Sequence, residues 1–181
     1  MLIDAKDSVV MLIDAQEKLM PLVQNADDTT QHCRWLLEIA QYLNIPTLTT
    51  EQYPKGLGKT IEPLCEFATP EHTLAKTCFS ALGSPAINNL LHEWHHKQFI
   101  LIGIETHVCV LQTAIELQNT NRQVFVVQEC TSSRDNHDKK LALKRMRQQG
   151  VQVVSREMVV FEWLTQSGSE QFKYISEAYI K

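Results

Sequence analysis

The sequence predicts an α/β protein, a three-layer α/β/α sandwich around a mostly parallel six-stranded sheet, in one domain spanning residues 1–181. Three observations carry this expectation. Short β-branched runs alternate with longer amphipathic stretches along the whole chain. Several runs, such as Phe99-Ile100-Leu101-Ile102, are apolar on consecutive positions, the pattern of strands buried on both faces of a parallel sheet. No internal repeat or linker interrupts the alternation, and a chain of this length normally closes around one core.

The elements follow in order. The run Val9-Val10-Met11-Leu12-Ile13 predicts a first strand over Ser8–Asp14. A helix is expected over Asp28–Leu43, ended by Asn44 ahead of Ile45-Pro46. The second strand reads Pro46–Thr50, and Tyr53-Pro54-Lys55-Gly56-Leu57-Gly58 reads as a loop. A short third strand is expected at Thr73–Lys76. Ser84-Pro85 opens a helix to His95, with proline at its first position. The fourth strand, Gln98–Gly103, leads to a helix over His107–Asn119. The fifth strand is Gln123–Gln128, followed by a loop at Thr131–Asn136 and a helix over Asp135–Gln149 that Gly150 ends. The sixth strand is Val151–Ser155, and helices close the chain at Arg156–Leu164 and Glu170–Tyr179.

Composition excludes several classes. A net charge of −4 lacks the basic footprint of a nucleic-acid binder. Lys139, Lys140, Lys144, Arg145 and Arg147 alternate with Leu141, Leu143 and Met146, which predicts a solvated helix face. The apolar start of the chain is too short to span a bilayer and has no cleavage-site pattern, so no membrane role and no signal peptide are expected. Five cysteines, Cys33, Cys65, Cys78, Cys109 and Cys130, form no CxxC pair. That predicts a reducing, cytoplasmic setting and no zinc cage.

Open parallel sheets bind ligands at the carboxyl ends of their strands. Asp14 closes the first strand, Lys76 the third, and Cys109 lies in the first turn after the fourth. Singly, each has an ordinary explanation as a cap, a snorkelling lysine or a core thiol. Together they place three reactive groups on one sheet edge. A cysteine at a helix start beside a lysine is expected to have a depressed pKa and to be partly thiolate. Asp14 is placed to take the thiol proton and later return it to a leaving group, while backbone N–H groups of the Glu105–Cys109 turn stabilise an oxyanion. Gln16, Gln52, Tyr53 and Phe79 flank the same edge and are expected to line the substrate pocket.

The segments Met11-Leu12-Ile13-Asp14-Ala15-Gln16, Lys76-Thr77-Cys78-Phe79-Ser80-Ala81 and Gly103-Ile104-Glu105-Thr106-His107-Val108-Cys109-Val110 resemble those of the isochorismatase-like hydrolases. The resemblance covers nearly the whole chain. It implies an Asp14, Lys76, Cys109 triad, a cis peptide between Ile104 and Glu105, and an oxyanion hole from the N–H groups of Glu105 and Cys109. It also implies a homo-oligomer, a dimer or larger. Nicotinamidases of the family carry an Asp-x-His metal set after the second strand. Here that region reads Thr50-Glu51-Gln52-Tyr53-Pro54-Lys55-Gly56-Leu57-Gly58, without histidine, so neither metal nor other cofactor is expected. The expected function is a metal-independent hydrolase of a small amide, carbamoyl or ester substrate, working through a thioester on Cys109. The alternative is a thiol-based sensor or binding protein that uses Cys109 without turnover.

Three tempting signals are set aside. His107 stands two residues from Cys109, and residues two apart on a helix do not face each other. His92-Glu93-Trp94-His95-His96 matches H-E-x-x-H but precedes the fourth strand, at the amino edge of the sheet. Gly56-Leu57-Gly58-Lys59-Thr60 ends like a phosphate loop yet lacks its first glycine.

Overall fold

The computed structural model describes residues 1–181. Six strands form a single sheet: β1 (Ser8–Ile13), β2 (Thr47–Gln52), β3 (Thr73–Lys76), β4 (Gln98–Ile104), β5 (Gln123–Ser132) and β6 (Gln152–Val154). Their spatial order is β3-β2-β1-β4-β5-β6, and every pairing is parallel. The chain winds outward in one direction from β1 and in the other from β4. The crevice between these two strands is therefore the topological switch point, where open parallel sheets present their ligand sites.

Helices cover both faces: α1 (Ala26–Tyr42), α2 (Pro54–Leu57), α3 (Pro85–Glu93), α4 (Leu111–Gln118), α5 (Asn136–Gln148), α6 (Arg156–Leu164) and α7 (Glu170–Ile175). The pleat sorts neighbouring residues to opposite sides. Val10 and Leu12 pack with Cys33, Leu36, Leu37 and Ala40 of α1 and with Val159, Val160 and Trp163 of α6. Val9, Met11 and Ile13 pack with Ile87 and Leu91 of α3, Ala114 and Leu117 of α4, and Met146 of α5. All six β1 residues are buried, which is why that strand reads as an unbroken apolar run. Each such Leu or Ile contributes about 1.5–3 kcal/mol relative to an exposed one.

The three-layer α/β/α architecture is as expected, with adjustments at the ends. Asp14 lies beyond β1 with φ 50°, in a left-handed conformation that turns its side chain off the strand axis. The second strand runs two residues further, to Gln52, and Pro54–Leu57 forms a short helix where a loop was expected. The expected loop at Thr131 begins too early. A register irregularity opposite Leu101–Gly103 lets β5 resume beside β4, pairing Gly103 with Thr131 and Ile104 with Ser132. Three consecutive hydroxyl residues read as loop, yet Thr131, Ser132 and Ser133 are buried. The helix expected over His107–Asn119 starts as a wide π-helical turn at Thr106–Val110 before α4 begins. Finally, α3 ends at Glu93 and Trp94 is extended, so His92 and His96 do not share a helix. The H-E-x-x-H match has no structural counterpart.

Gly103 brings β4 against β1 at the switch point. Its φ is +108°, and a Cβ there would fall on the Ile13 backbone carbonyl. Gly103→Ala is expected to cost about 3 kcal/mol or more, from backbone strain and overpacking together. Denaturant unfolding checks this, and a loss below about 1 kcal/mol would mean the two strands can part without penalty.

Candidate active site

Asp14, Lys76 and Cys109 come together at the carboxyl edge, between the ends of β1, β3 and β4. Lys76 Nζ lies 2.7 Å from Asp14 Oδ2, and both side chains are wholly buried. The remaining Asp14 oxygen accepts a 2.7 Å hydrogen bond from Thr50 Oγ1, and the Cys109 thiol lies near enough for thiol and carboxylate to shift each other's proton affinity. Thr50 is brought there by register, since it pairs with Ile13 across β1 and β2.

Lys76 is used up locally. Besides Asp14, its ammonium donates to Gln52 Oε1 at 2.6 Å and to the carbonyls of Phe79 at 3.1 Å and Cys78 at 3.3 Å. An ammonium carries three protons, already shared among these four acceptors, so none is left for a ligand. Gln52 in turn donates to the Thr77 carbonyl at 2.8 Å. Gln16 is fully buried, and its amide bridges the Gln52 N–H and the carbonyls of Gln52 and Gly58. This corrects the expected pocket lining. Both glutamines brace the walls of the site, because long amides satisfy backbone groups that strand ends leave open. Sequence reasoning missed the role of Thr50. The run Thr49-Thr50-Glu51-Gln52 at a strand terminus was the available signal.

Tyr53 and Phe79 remain about half exposed. A cavity of about 430 Å³ lies along Tyr53–Lys55, Ala75–Cys78 and Gly83–Pro85. It touches Lys76 but neither Asp14 nor Cys109, and Phe79 is not in its lining. Tyr53 is thus the one expected pocket residue that borders it. Elsewhere, no three His, Cys, Asp or Glu side chains converge as a metal site.

The Cys109 thiol departs from expectation. It is pushed up to about 12, first by burial and then by the Asp14 charge, with Lys76 pulling the other way. The helix start and the lysine do not produce a resting thiolate, because Lys76 is already neutralised by Asp14. Burial also raises Asp14 above the ordinary carboxylate range, against the pull of Lys76, Thr50 and Cys109. The resting pair is therefore a neutral thiol beside a carboxylate with raised proton affinity. Iodoacetamide labelling of Cys109 is expected to climb about tenfold per pH unit from pH 7 to 10, with no plateau. A plateau at neutral pH, read by mass spectrometry of the Cys109 peptide, would show a stable thiolate instead.

Beyond β4 the Ile104–Glu105 peptide bond is cis, and the Glu105 carbonyl accepts from the N–H groups of Val108 and Val110. The Glu105 N–H itself has no acceptor within the protein. His107 points away from the thiol, with Nδ1 3.0 Å from Ser133 Oγ.

Residues 8–158 match the isochorismatase domain model. The chain belongs to the isochorismatase family of hydrolases. Isochorismatase domain-containing protein 2A of Mus musculus is 36% identical over 173 residues, covering 95% of this chain and 82% of that protein. The zebrafish (Danio rerio) isochorismatase domain-containing protein 2 is 35% identical and covers 97% and 88%. Among solved structures, the MAR1 ribonuclease of Caenorhabditis elegans superposes with a TM-score of 0.92 at 34% identity, over 100% of this chain and 93% of that one. The YcaC gene product of Escherichia coli, an octameric hydrolase of unknown specificity, superposes with a TM-score of 0.87 at 25% identity, over 92% and 83%. No helix of this isochorismatase-family chain is long and apolar enough to cross a membrane.

Proposed function

We propose that this protein is a metal-independent cysteine hydrolase that cleaves a small amide, carbamoyl or ester substrate through a thioester on Cys109. The observation that carries the reading is the convergence of a thiol, a carboxylate of raised proton affinity and a buried lysine at the switch point. Cys109 Sγ attacks the substrate carbonyl as its proton passes to Asp14. Concerted transfer suits a thiol that does not ionise at rest. The oxyanion is held by the N–H groups of Glu105 and Cys109, and one such donor typically contributes about 3–4 kcal/mol to lowering the barrier. Collapse breaks the C–N or C–O bond, and Asp14 returns the proton to the leaving amine or alkoxide. Water, deprotonated by Asp14, then attacks the thioester, and Cys109 leaves as the thiol. Lys76 holds Asp14 in place and balances the charge throughout. Assembly into a homo-oligomer belongs to the same reading, in keeping with the octamer of the Escherichia coli neighbour.

The ribonuclease name of the nematode neighbour raises a phosphodiester alternative. A chain of net charge −4 with its site lysine neutralised favours a small carbonyl compound over RNA. A turnover screen across small amides, carbamates, esters and RNA oligonucleotides separates the two, with Cys109→Ala as the blank. Carbonyl compounds are expected to turn over above the blank. Turnover of RNA alone, or of nothing with Cys109 oxidising reversibly, would favour a nuclease or a thiol sensor respectively.

A further inference from the structure

Two side chains of the Cys109-bearing turn reach sideways, toward the start of α5, and both meet the segment 133–138. His107 Nδ1 lies 3.0 Å from Ser133 Oγ, and its Nε2 lies 3.8 Å from Asp138 Oδ2. The Glu105 carboxylate is 3.6 Å from His107 Nδ1 and is gripped by Arg134 Nε at 3.0 Å. The receiving segment is itself anchored. Asp135 caps α5 by accepting from the His137 N–H at 2.7 Å, Ser133 is buried, and the Ser133 carbonyl accepts from the Gln24 N–H. Glu105 and His107 stand on either side of Thr106, so this contact set fixes the first two peptides of the turn from outside the site. Partly exposed ion pairs at such distances contribute little to stability. What they do supply is direction, and the group they direct is a backbone donor without an acceptor, the Glu105 N–H.

We propose that His107 is a positioning residue: through Ser133 and Asp138 it ties the Cys109-bearing turn to α5 and aims the Glu105 N–H at the developing oxyanion. The proposal rests on reading that N–H as an oxyanion donor. It assigns His107 no contact with substrate and no proton to move. A misplacement of about 1 Å in such a donor can cost about 10²-fold in rate.

Two alkylating agents test it on the full-length protein without any turnover substrate. In acrylamide addition, the Cys109 S–H adds across the C=C bond: sulfur bonds the terminal carbon, charge builds on the carbonyl oxygen, and the thiol proton ends on the α-carbon. Iodoacetamide is displaced at carbon, with iodide leaving and the proton lost to solvent, and builds no oxyanion. Both are followed on the Cys109 peptide by mass spectrometry, which separates it from the more accessible Cys65 and Cys78.

His107→Ala is expected to slow acrylamide about tenfold or more while leaving iodoacetamide within about twofold. His107→Asn, whose amide can meet Ser133 as Nδ1 does, is expected to restore most of the acrylamide rate. Asp138→Asn, a half-exposed change that leaves the fold intact, should lower the same ratio in the same direction by a smaller factor. An unchanged acrylamide rate in His107→Ala overturns the proposal, and so does a parallel fall with both agents. Should His107→Ala not fold, an unchanged ratio in both Asp138→Asn and Ser133→Ala overturns it equally. A wild-type ratio no higher than that of a free cysteine peptide would remove the oxyanion donor itself, and the proposal with it. Failure of the hydrolase reading would show elsewhere, as the absence of any acyl-enzyme on Cys109.

Discussion

Lys76→Met is expected to destabilise the protein by about 3–5 kcal/mol at neutral pH, and the loss should shrink as the solution is made acidic. The substitution leaves the Asp14 carboxylate fully buried without its cation, and strands the acceptors on Gln52, Phe79 and Cys78. The sign of the pH dependence follows from Asp14. Burial already lifts its pKa above the ordinary carboxylate value of 3.8, and losing Lys76 removes the strongest opposing pull. Between that ordinary value and the raised one the native state binds more protons than the unfolded chain. Stability there falls as pH rises, and returns as pH drops through the raised pKa. Urea unfolding at several pH values measures this. Asp14→Asn combined with Lys76→Met should then be more stable than Lys76→Met alone at pH 8, with the difference vanishing near pH 4. Equal stability of the two variants at pH 8 would show that the buried carboxylate carries no such penalty.

Cys109→Ala is expected to lower hydrolysis of any substrate found by the screen by about 10⁴-fold or more, and to abolish the acyl adduct seen when wild type is quenched during turnover. The side chain is small and nearly buried, so the unfolding midpoint should move little. Activity and stability thus separate at this residue, whereas at Lys76 they fall together. Residual turnover within tenfold of wild type would rule out covalent catalysis at Cys109.

The sheet was largely legible in the residues. Runs such as Val9–Ile13 and Phe99–Ile102 are apolar on consecutive positions because both faces of each strand are covered, and only a parallel sheet between helices does that. The carboxyl-edge rule then brought Asp14, Lys76 and Cys109 to one place without any distance being known. Element ends were less legible. Thr131-Ser132-Ser133 has loop composition, but a register shift far along β5 returns it to the sheet, and nothing local encodes that pairing. The π-helical start at Thr106 likewise depends on how β4 leaves the sheet.

At the site, residue types and order were determined by the sequence alone: a thiol after the fourth strand, an acid after the first, a lysine after the third, and no histidine where a metal set would stand. Which protons rest where was decided by the tertiary structure. A lysine near a cysteine suggests a thiolate, but Lys76 spends its charge on Asp14 at 2.7 Å, and burial of Cys109 then keeps the thiol protonated. Gln16 and Gln52 looked like ligand contacts and proved to be braces for strand ends. Desolvation and hydrogen-bond satisfaction depend on everything packed around a group, and those neighbours come from β2, β3 and α4 as much as from the residue's own segment.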